Sequence, residues 1–345
     1  MSLKNKRVLV TGGAGFIGSH LVRKIINENP EKIVVIDNLF IGKDSNLSDS
    51  IEIFPDLTIH HEDVADYEKM REIVEKEQVD IVFNLAVIPL LASLEYPAWT
   101  FTHNNSMTVS LCELARQDYF DTLIHFSSSE VYGTSVYAPM DESHPLNGTT
   151  PYAASKAASD LLVFSYHRTF GIDMAIVRPF NNYGPKQNEL SYAGVIPLTI
   201  QRIMQNESPV LYGDGKQTRD YIYVEDTAEA AIKIFNSQKT RGKVLNIASG
   251  KEIEIKYLIE LITEYMGWTK GIICQSDRPA DVRRHIANIY LAEDLIGFKP
   301  RIQFEEGLRK TVEWYKKNMA NENRTNIHNS ESIISKVYSI NKDMP

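Results

Sequence analysis

Residues 7–20, RVLVTGGAGFIGSH, constrain the fold more than any other part of the chain. Residues 8–10 form a short, wholly apolar run, which is typical of a strand buried on both faces. Gly12, Gly15 and Gly18 follow at a spacing of three, and apolar residues then recur at helical spacing. Glycines let a backbone turn tightly and approach a pyrophosphate, and a helix amino terminus attracts phosphates. The segment therefore predicts a dinucleotide-binding loop, with an ordinary glycine-rich turn as the alternative.

A second apolar run, residues 32–36, ends at Asp37, about where a ribose-binding acid is expected after such a loop. A carboxylate at this position accepts hydrogen bonds from the ribose hydroxyls and repels a 2′-phosphate. We therefore predict NAD rather than NADP as the cofactor, although Lys43 follows closely in the sequence. The alternative for Asp37 is a solvated turn residue, since the pair Asp37-Asn38 suits a turn.

Size and charge narrow the classes of protein that fit. The chain has 345 residues and a net charge of −8, enough for one large domain or two modest ones. It has no long apolar run and no signal-peptide cleavage pattern, so we expect neither a membrane span nor export. The acidic balance argues against nucleic acid or a membrane as a partner. Cys112 and Cys274 are too few for a disulfide framework, and we expect buried free thiols in a reducing cytoplasm.

Apolar strand patterns alternate with amphipathic helix patterns through the first half of the chain. Residues 57–60 and 79–86 are strand-like, and residues 66–78 between them place Met70, Ile73 and Val74 on one helical face. This alternation predicts an α/β fold, a Rossmann-type doubly wound parallel sheet. The regularity weakens in the second half, which predicts a smaller α/β substrate-binding lobe.

We divide the chain accordingly into two folded parts and a tail. The dinucleotide-binding domain is predicted to comprise residues 1–180 and about 218–245, and the substrate lobe residues 181–217 and about 246–317. Residues 318–345 are rich in Asn, Ser and Lys and carry little apolar periodicity, so they are predicted to form a mobile tail.

Two residues of the helix predicted over residues 151–170 carry chemistry. Tyr152 and Lys156 are four apart and therefore share one face. A lysine ammonium beside a phenol lowers the pKa of that phenol toward neutrality, so Tyr152 is suited to act as a base toward a sugar hydroxyl. The preceding strand pattern turns polar at its carboxyl end, residues 127–129, the edge at which ligands bind in open parallel sheets. Ser128 is placed there to hold the same substrate oxygen.

With these residues, the chain resembles the extended short-chain dehydrogenase/reductase family of NAD-dependent nucleotide-sugar epimerases and dehydratases, from residue 7 to about 314. The motifs that carry the resemblance are TGGAGFIG at 11–18, Asp37, Asp63-Val64, Asn84-Leu85-Ala86, SSSEVYG at 127–133, PYAASK at 151–156, RPFNNYGP at 178–185, YGDGKQTRDYIYVEDTA at 212–228 and RPADVRR at 278–284. Two departures stand near the cofactor. Asn84-Leu85-Ala86-Val87 replaces the usual His-Leu-Ala-Ala, and Met107 replaces a usual glycine.

The resemblance implies a role for each matching residue and implies no metal. Ser128, Tyr152 and Lys156 would be catalytic. The cofactor contacts implied are Gly12, Gly15, Phe16, Ile17, Gly18, Asp37, Asn38, Asp63, Val64, Leu85, Ala86, Tyr152 and Lys156. The substrate contacts implied are Ser129, Asn181, Tyr212, Arg219 and Arg278, with Asn181 and the two arginines at the diphosphate and Tyr212 against the base. Alternatives remain: Arg219 paired with Asp220 or Glu225, and Tyr212 as plain core.

Family members begin alike, with oxidation at sugar carbon 4, and then differ. Glu130 favours a 4,6-dehydratase, because resembling dehydratases carry a glutamate at this position as the base for carbon 5. Many 4-epimerases have a small or neutral residue there, although a solvated strand-end glutamate is also possible. We predict an NAD-dependent nucleotide-sugar 4,6-dehydratase acting on a UDP-sugar such as UDP-N-acetylglucosamine.

Three alternative functions stay open: a UDP-sugar 4-epimerase, a nucleotide-glucuronate decarboxylase, and a silent NAD-binding scaffold on the same fold. The resemblance also implies a homodimer, since two helices of this family, matched here by residues 98–117 and 151–170, usually pair across a two-fold interface.

Overall fold

The computed structural model describes residues 1–188, 194–276 and 283–322. Within these residues the strands, in chain order, are β1 Arg7–Thr11, β2 Lys32–Ile36, β3 Leu57–His60, β4 Ile81–Asn84, β5 Thr122–Phe126, β6 Asp173–Pro179, β7 Asn181–Tyr183, β8 Val210–Tyr212, β9 Thr218–Arg219, β10 Tyr221–Tyr223, β11 Val244–Ile247, β12 Ile253–Glu254 and β13 Ile273–Gln275. The α-helices are α1 Phe16–Ile26, α2 Ser48–Ile53, α3 Tyr67–Glu77, α4 Leu90–Glu95, α5 Pro97–Arg116, α6 Pro151–Phe170, α7 Val195–Met204, α8 Val224–Asn236, α9 Ile255–Met266, α10 Tyr290–Ile296 and α11 Phe304–Glu322.

A seven-stranded parallel sheet organises the chain, in the order β11-β6-β5-β4-β1-β2-β3. The chain adds strands on one side of β1 as far as β3 and then continues on the other side from β4. This reversal opens a crevice at the carboxyl ends of β1 and β4, the place where ligands bind in doubly wound sheets. The predicted Rossmann-type α/β fold is therefore confirmed.

The strands are buried on both faces, and each face has its own core. Val8 and Val10 of β1 pack with helices α1, α8 and α10, whereas Leu9 packs with α3, α5 and α6 on the other face. Successive side chains of a strand point to opposite faces, so this division follows directly from the pleat. It explains why the strands read as continuous apolar runs rather than as alternating ones.

Helix α6 begins and ends where the sequence predicts, at Pro151 and Phe170. Pro151 occupies the first turn, where a missing N–H costs nothing, and the Thr150 side chain accepts a hydrogen bond from the Ala153 N–H at 3.1 Å. Gly171 ends the helix in the left-handed conformation, with φ of 74°. These local signals fix the position of the Tyr152 and Lys156 face.

A smaller lobe lies around a separate core built from α7, α9, α11 and the paired strands β7 and β10. Four features cross the predicted boundaries. Strand β10 packs in the core of the smaller lobe, and strand β11 joins the main sheet. Phe298, beyond helix α10, packs in the main-sheet core, and α11 continues to Glu322. The domain division otherwise stays a prediction, and residues 323–345 lie outside the described residues.

The two cysteines differ. Cys112 is buried as predicted, whereas Cys274 is exposed, so the prediction of burial for Cys274 is wrong. The apolar stretch around Cys274 forms β13, whose three residues are all exposed and which pairs with β8 alone. Within the described part of the chain, no helix is both long and apolar enough to cross a membrane. The cytoplasmic location stays a prediction.

Candidate active site

Two adjoining cavities open at the carboxyl edge of the main sheet. The first, of about 310 Å³, lies against the glycine loop, and the second, of about 870 Å³, extends toward the smaller lobe. Both are lined by a shared set of residues, namely Phe16, Val87, Ser128, Tyr152, Phe180, Asn182 and Gln187. The two cavities therefore form one continuous space.

Every residue predicted to touch the cofactor lines the first cavity: Gly12, Gly15, Phe16, Ile17, Gly18, Asp37, Asn38, Asp63, Val64, Leu85, Ala86, Tyr152 and Lys156. The second cavity is lined by Ser128, Ser129, Glu130, Tyr152, Asn181, Tyr212 and Arg219. Arg278 lies outside the described residues. The sheet thus gathers the predicted residues in one place, and the role of each stays a prediction.

The glycine loop leaves no room for side chains. A Cβ on Gly18 would lie 2.1 Å from the Gly12 carbonyl oxygen, and one on Gly12 would lie 2.9 Å from the Ala86 nitrogen. Gly12 also has a φ of 66°, which disfavours other residues. The backbone around the loop can therefore pack this closely only with glycine, and the amino terminus of α1 faces the cavity, as a pyrophosphate requires.

Asp37 is held beneath the loop rather than in solvent. Its carboxylate accepts hydrogen bonds from the backbone N–H of Ala14 at 3.0 Å and of Leu39 at 2.9 Å. Burial raises the pKa of Asp37, an effect that these hydrogen bonds oppose. The alternative of a solvated turn residue does not fit, because Asp37 is only 8 % exposed and lines the first cavity.

Asp63 has a partner that sequence reasoning missed. The His103 ring nitrogen Nε2 lies 3.0 Å from the Asp63 carboxylate, and the Asn38 amide donates to the same carboxylate at 3.4 Å. Burial alone would raise the pKa of Asp63, but the interactions with His103 outweigh it, and the pKa is lowered. His103 in turn stacks on the Trp99 ring, with centroids 5.2 Å apart. No sequence signal singles out His103, because polar residues are frequent along α5.

The structure explains the asparagine at position 84. Thr11 donates to the Asn84 side-chain oxygen at 2.8 Å, and the Asn84 amide lies 3.0 Å from Nδ1 of His125. All three side chains are buried. Burial holds the pKa of His125 well below its usual value, so the ring is neutral and accepts from Asn84 through Nδ1. Asn84 thus joins β1 to β5 beneath the crevice.

Ser128 and Tyr152 line both cavities, and Lys156 lines the first. A hydrogen bond links Ser128 to the Tyr152 phenol, and the Lys156 amine donates to the Phe126 carbonyl oxygen. Ser128 Oγ also accepts from the Glu130 backbone N–H at 3.2 Å. All three residues line the first cavity, and the joint catalytic role predicted for them stays a prediction.

The predicted lowering of the Tyr152 pKa is wrong for the chain by itself. Burial raises the pKa of Tyr152 to about 12, and the hydrogen bond from Ser128 and the nearby charge of Glu130 act in opposite directions on it. Burial also lowers the pKa of Lys156 to about 8. The sequence pattern predicts the shared helical face, but it does not predict the desolvation that raises the pKa of Tyr152.

Glu130 lies in a 3₁₀ turn, Ser129–Tyr132, directly after the Ser128 position. Its carboxylate is near enough to Tyr152 to affect the phenol's pKa, and the residue is half-buried in the second cavity. A titratable group thus stands beside the Ser128–Tyr152 pair on the side where a substrate would lie.

The far end of the second cavity holds the predicted substrate contacts. The Asn181 amide donates to the Asp220 carbonyl at 3.2 Å, and the Arg219 guanidinium donates to the Thr218 carbonyl at 2.9 Å. The Asp220 carboxylate accepts from Ser249, Gly250 and Ala287. Those donors reach both carboxylate oxygens, so Asp220 organises this turn.

The family model for GDP-mannose 4,6-dehydratase matches residues 9–311. The chain belongs to this family. A putative UDP-glucose 4-epimerase from Methanocaldococcus jannaschii is 36% identical over 92% of this chain and 100% of its own length. The solved UDP-N-acetylglucosamine 4-epimerase from Methanobrevibacter ruminantium is 38% identical, with a TM-score of 0.85 over 92% of this chain and 100% of that chain.

DesIV, a dTDP-glucose 4,6-dehydratase from Streptomyces venezuelae solved with NAD bound, is 30% identical, with a TM-score of 0.85 over 91% of this chain and 98% of that chain. The resemblance to nucleotide-sugar epimerases and dehydratases is therefore confirmed, and so is NAD as the cofactor of this group. These relatives include both reaction classes, so family membership alone does not decide the reaction.

Proposed function

We propose that this protein is an NAD-dependent nucleotide-sugar 4,6-dehydratase whose substrate is a UDP-sugar such as UDP-N-acetylglucosamine. The observation that supports the dehydratase over other members of the family is Glu130, a carboxylate in the second cavity beside Ser128 and Tyr152. A 4-epimerase needs no such group, because the keto sugar turns over and the hydride returns.

In the first step Tyr152 removes the proton from the hydroxyl on sugar carbon 4, while Ser128 holds that oxygen by a hydrogen bond. Bound NAD takes the hydride from carbon 4 and brings the positive charge of its nicotinamide ring. The high pKa of Tyr152 in the chain alone means that a phenolate needs additional positive charge nearby. Lys156, fixed on the Phe126 carbonyl one helical turn away, supplies part of it.

In the second step the carbon 4 ketone acidifies the proton on carbon 5, and Glu130 removes it. Glu130 then donates that proton to the hydroxyl leaving carbon 6, so that water is lost. The hydride would return to carbon 6, carbon 5 would take a proton from solvent through Glu130, and Tyr152 would release to solvent the proton that it took from the carbon 4 hydroxyl. One carboxylate serves both as base and as acid, because the neighbouring Ser129 has no acidic group.

A UDP-sugar 4-epimerase is the second candidate, and the names of the two relatives at 36% and 38% identity favour it. The two reactions are distinguished by the mass of the product. A dehydratase yields a product lighter by one water, whereas an epimerase yields one of unchanged mass and altered stereochemistry.

The Glu130→Gln variant tests the proposal directly. We expect the variant to keep the first oxidation, which is seen as NADH absorbance. The rate of water elimination should fall by about 10²-fold or more, because the base for carbon 5 is gone. Glu75→Gln, an exposed glutamate on α3, is the control. Sugar turnover untouched in Glu130→Gln would exclude the dehydratase and favour the epimerase.

The choice of a UDP-sugar is supported by the aromatic, amide and guanidinium groups of Tyr212, Asn181 and Arg219 on the wall of the second cavity. The two epimerase relatives are named for UDP-sugars, whereas DesIV is named for a dTDP-sugar. Thermal shifts with UDP, dTDP and GDP compare the three bases, and we expect the largest shift with UDP.

We also propose a homodimer through α5 and α6. Phe101 and Val109 of α5 are 41% and 42% exposed, and Leu161 of α6 is 62% exposed. Large apolar side chains on the outer faces of two adjoining helices are typical of a covered surface. Light scattering should give a dimer mass, and Leu161→Glu should shift it toward the monomer.

A further inference from the structure

A buried chain of polar side chains runs behind the active site, between helix α6 and the turn that carries Glu130. Asp160 on α6 accepts from the Arg178 guanidinium at 2.6 Å, and a second nitrogen of Arg178 donates to the Tyr132 hydroxyl at 2.7 Å. The Tyr132 hydroxyl donates onward to the Asn246 side-chain oxygen at 2.7 Å. Asp160, Arg178 and Tyr132 are at most 2 % exposed.

The hydrogen bonds of this network can run in one direction only, and within the described residues Asp160 Oδ1 and Arg178 Nε have no hydrogen-bond partner. Arg178 cannot lose its proton, so the hydrogen bond to Tyr132 must run from the guanidinium to the phenol oxygen. The phenol proton is then available for Asn246, whose own amide is anchored on the Met140 carbonyl at 3.1 Å. Arg178 also lies over the Tyr132 ring, 4.7 Å from its centroid. Because unpaired buried charges are costly, this network holds its elements in a fixed relation.

Asp160 and Tyr132 are each close in sequence to a predicted catalytic residue. Asp160 follows Lys156 by one helical turn and also accepts from Ser127 Oγ at 2.8 Å. Tyr132 is two residues after Glu130 in the same 3₁₀ turn. The network therefore links α6, through Arg178 of β6, to the 3₁₀ turn in which Glu130 lies.

We propose that the Tyr132 hydroxyl is a positioning group for Glu130, and that its hydrogen bonds to Arg178 and Asn246 set the geometry of the second chemical step. The inference rests on the proposed function, because it assigns Glu130 to proton transfer at carbon 5. Tyr132 lines neither cavity, so its effect is transmitted through the turn rather than by contact with a ligand.

Tyr132→Phe tests the assignment, because it removes the hydroxyl and keeps the ring under Arg178. Tyr137→Phe is the matched control: Tyr137 also contacts the His144 ring, and its hydroxyl donates to Asp141 at 2.7 Å on the exposed surface. Holoenzyme of each variant is mixed with UDP-N-acetylglucosamine in D₂O. NADH absorbance reports the first step, and deuterium at carbon 5 with loss of water reports the second.

We expect Tyr132→Phe to slow deuterium uptake and water loss by about ten- to a hundredfold, because a displaced catalytic group loses its reach. NADH formation should stay within about twofold of wild type, so NADH accumulates; Tyr137→Phe should change neither step. Asn246→Ala removes the acceptor of the same hydroxyl from another strand, and we expect it to shift the ratio of the two rates in the same direction. Melting temperatures establish that each variant is folded at the assay temperature.

Equal slowing of both steps in Tyr132→Phe and Asn246→Ala, or no change in either, overturns the positioning role. A wild-type enzyme that inverts carbon 4 with no loss of water overturns the proposed function, and the assignment of Tyr132 with it. If the wild type loses water and Tyr132→Phe leaves the ratio of NADH formation to water loss unchanged, the proposed function stands and only the role of Tyr132 is overturned.

Discussion

The two cavities of the molecule differ in how their walls are assembled. The cofactor cavity takes most of its lining from the loops that follow β1, β2, β3 and β4, all within the first ninety residues. The second cavity draws on the turn after β5, the strand β7 and the lobe elements α7, β8 and α9. A wall made at one sheet edge is fixed by the sheet, whereas a wall made from two lobes depends on how those lobes pack.

This contrast teaches where specificity resides. One wall of the first cavity is backbone, as the close contacts of Gly12 and Gly18 show. The second is lined by side chains of varied chemistry around a larger volume. Members of one family can thus share a cofactor and differ in sugar and reaction.

Gly18→Ala should have the largest effect, because it places a side chain in the backbone wall of the cofactor cavity. Its Cβ would lie 2.1 Å from the Gly12 carbonyl oxygen, and because backbone cannot yield that far, the loop must distort. We expect purified protein to carry no dinucleotide, with a loss of stability of about 3 kcal/mol. Release of bound nucleotide by heat, followed by chromatography, measures the first effect and denaturant unfolding the second. Gly171→Ala is the comparison: its Cβ meets nothing within 4 Å and its φ is 74°, so it costs only backbone strain at the end of α6, and its cofactor content should stay normal. A normal cofactor content in Gly18→Ala would show that the loop tolerates a side chain.

Tyr152→Phe should separate binding from chemistry, since Tyr152 lines both cavities. We expect cofactor content to stay near normal while NADH formation with a UDP-sugar falls about 10²- to 10⁴-fold, because the base is lost. Stopped-flow absorbance measures the rate. Residual oxidation at the wild-type rate would show that another group removes the proton.

Asp220 in the smaller lobe and Asp63 beside the cofactor cavity should contribute to the free energy of unfolding with opposite dependence on pH. Burial raises the pKa of Asp220 in the lobe to about 6, whereas the pKa of Asp63 beside the cofactor cavity is lowered through His103. The folded pKa of Asp220 lies above its unfolded value, so the native state binds the proton more tightly, and this group adds stability as pH falls from about 7 to 4.

Comparing wild type with Asp220→Asn isolates that contribution. We expect the variant to lose up to about 2 kcal/mol of the pH-dependent difference in unfolding free energy, whatever its absolute stability. Urea unfolding at several pH values measures the slope. Parallel curves for the two proteins between pH 7 and 4 would rule the titration out.

His103→Ala should have the smallest effect. Asp63 loses a hydrogen-bond partner but keeps Asn38, so NAD affinity should fall by about fivefold, near 1 kcal/mol. Titration of the cofactor-free protein with NAD gives the dissociation constant. A hundredfold loss would mean that His103 holds the cofactor itself.

The sequence predicts best where one short segment determines the geometry. The glycine loop, the acid after β2 and the bounds of α6 follow from local signals, and the structure has them in place. The high pKa of Tyr152, the exposure of Cys274 and the contacts of His103 and Asn84 depend on distant segments. No local pattern encodes how much water is excluded from a side chain, so these features become visible only in the folded chain.

The residues that line both cavities bear on the redox balance of the proposed reaction, in which the hydride is returned to the sugar. Phe16, Val87 and Tyr152 border both chambers, so a hydride taken from a sugar has only a short way to travel and return. A catalyst built in this way starts and finishes each turnover in the same oxidation state. Its throughput would then be independent of the balance between oxidised and reduced nicotinamide in the surrounding cell.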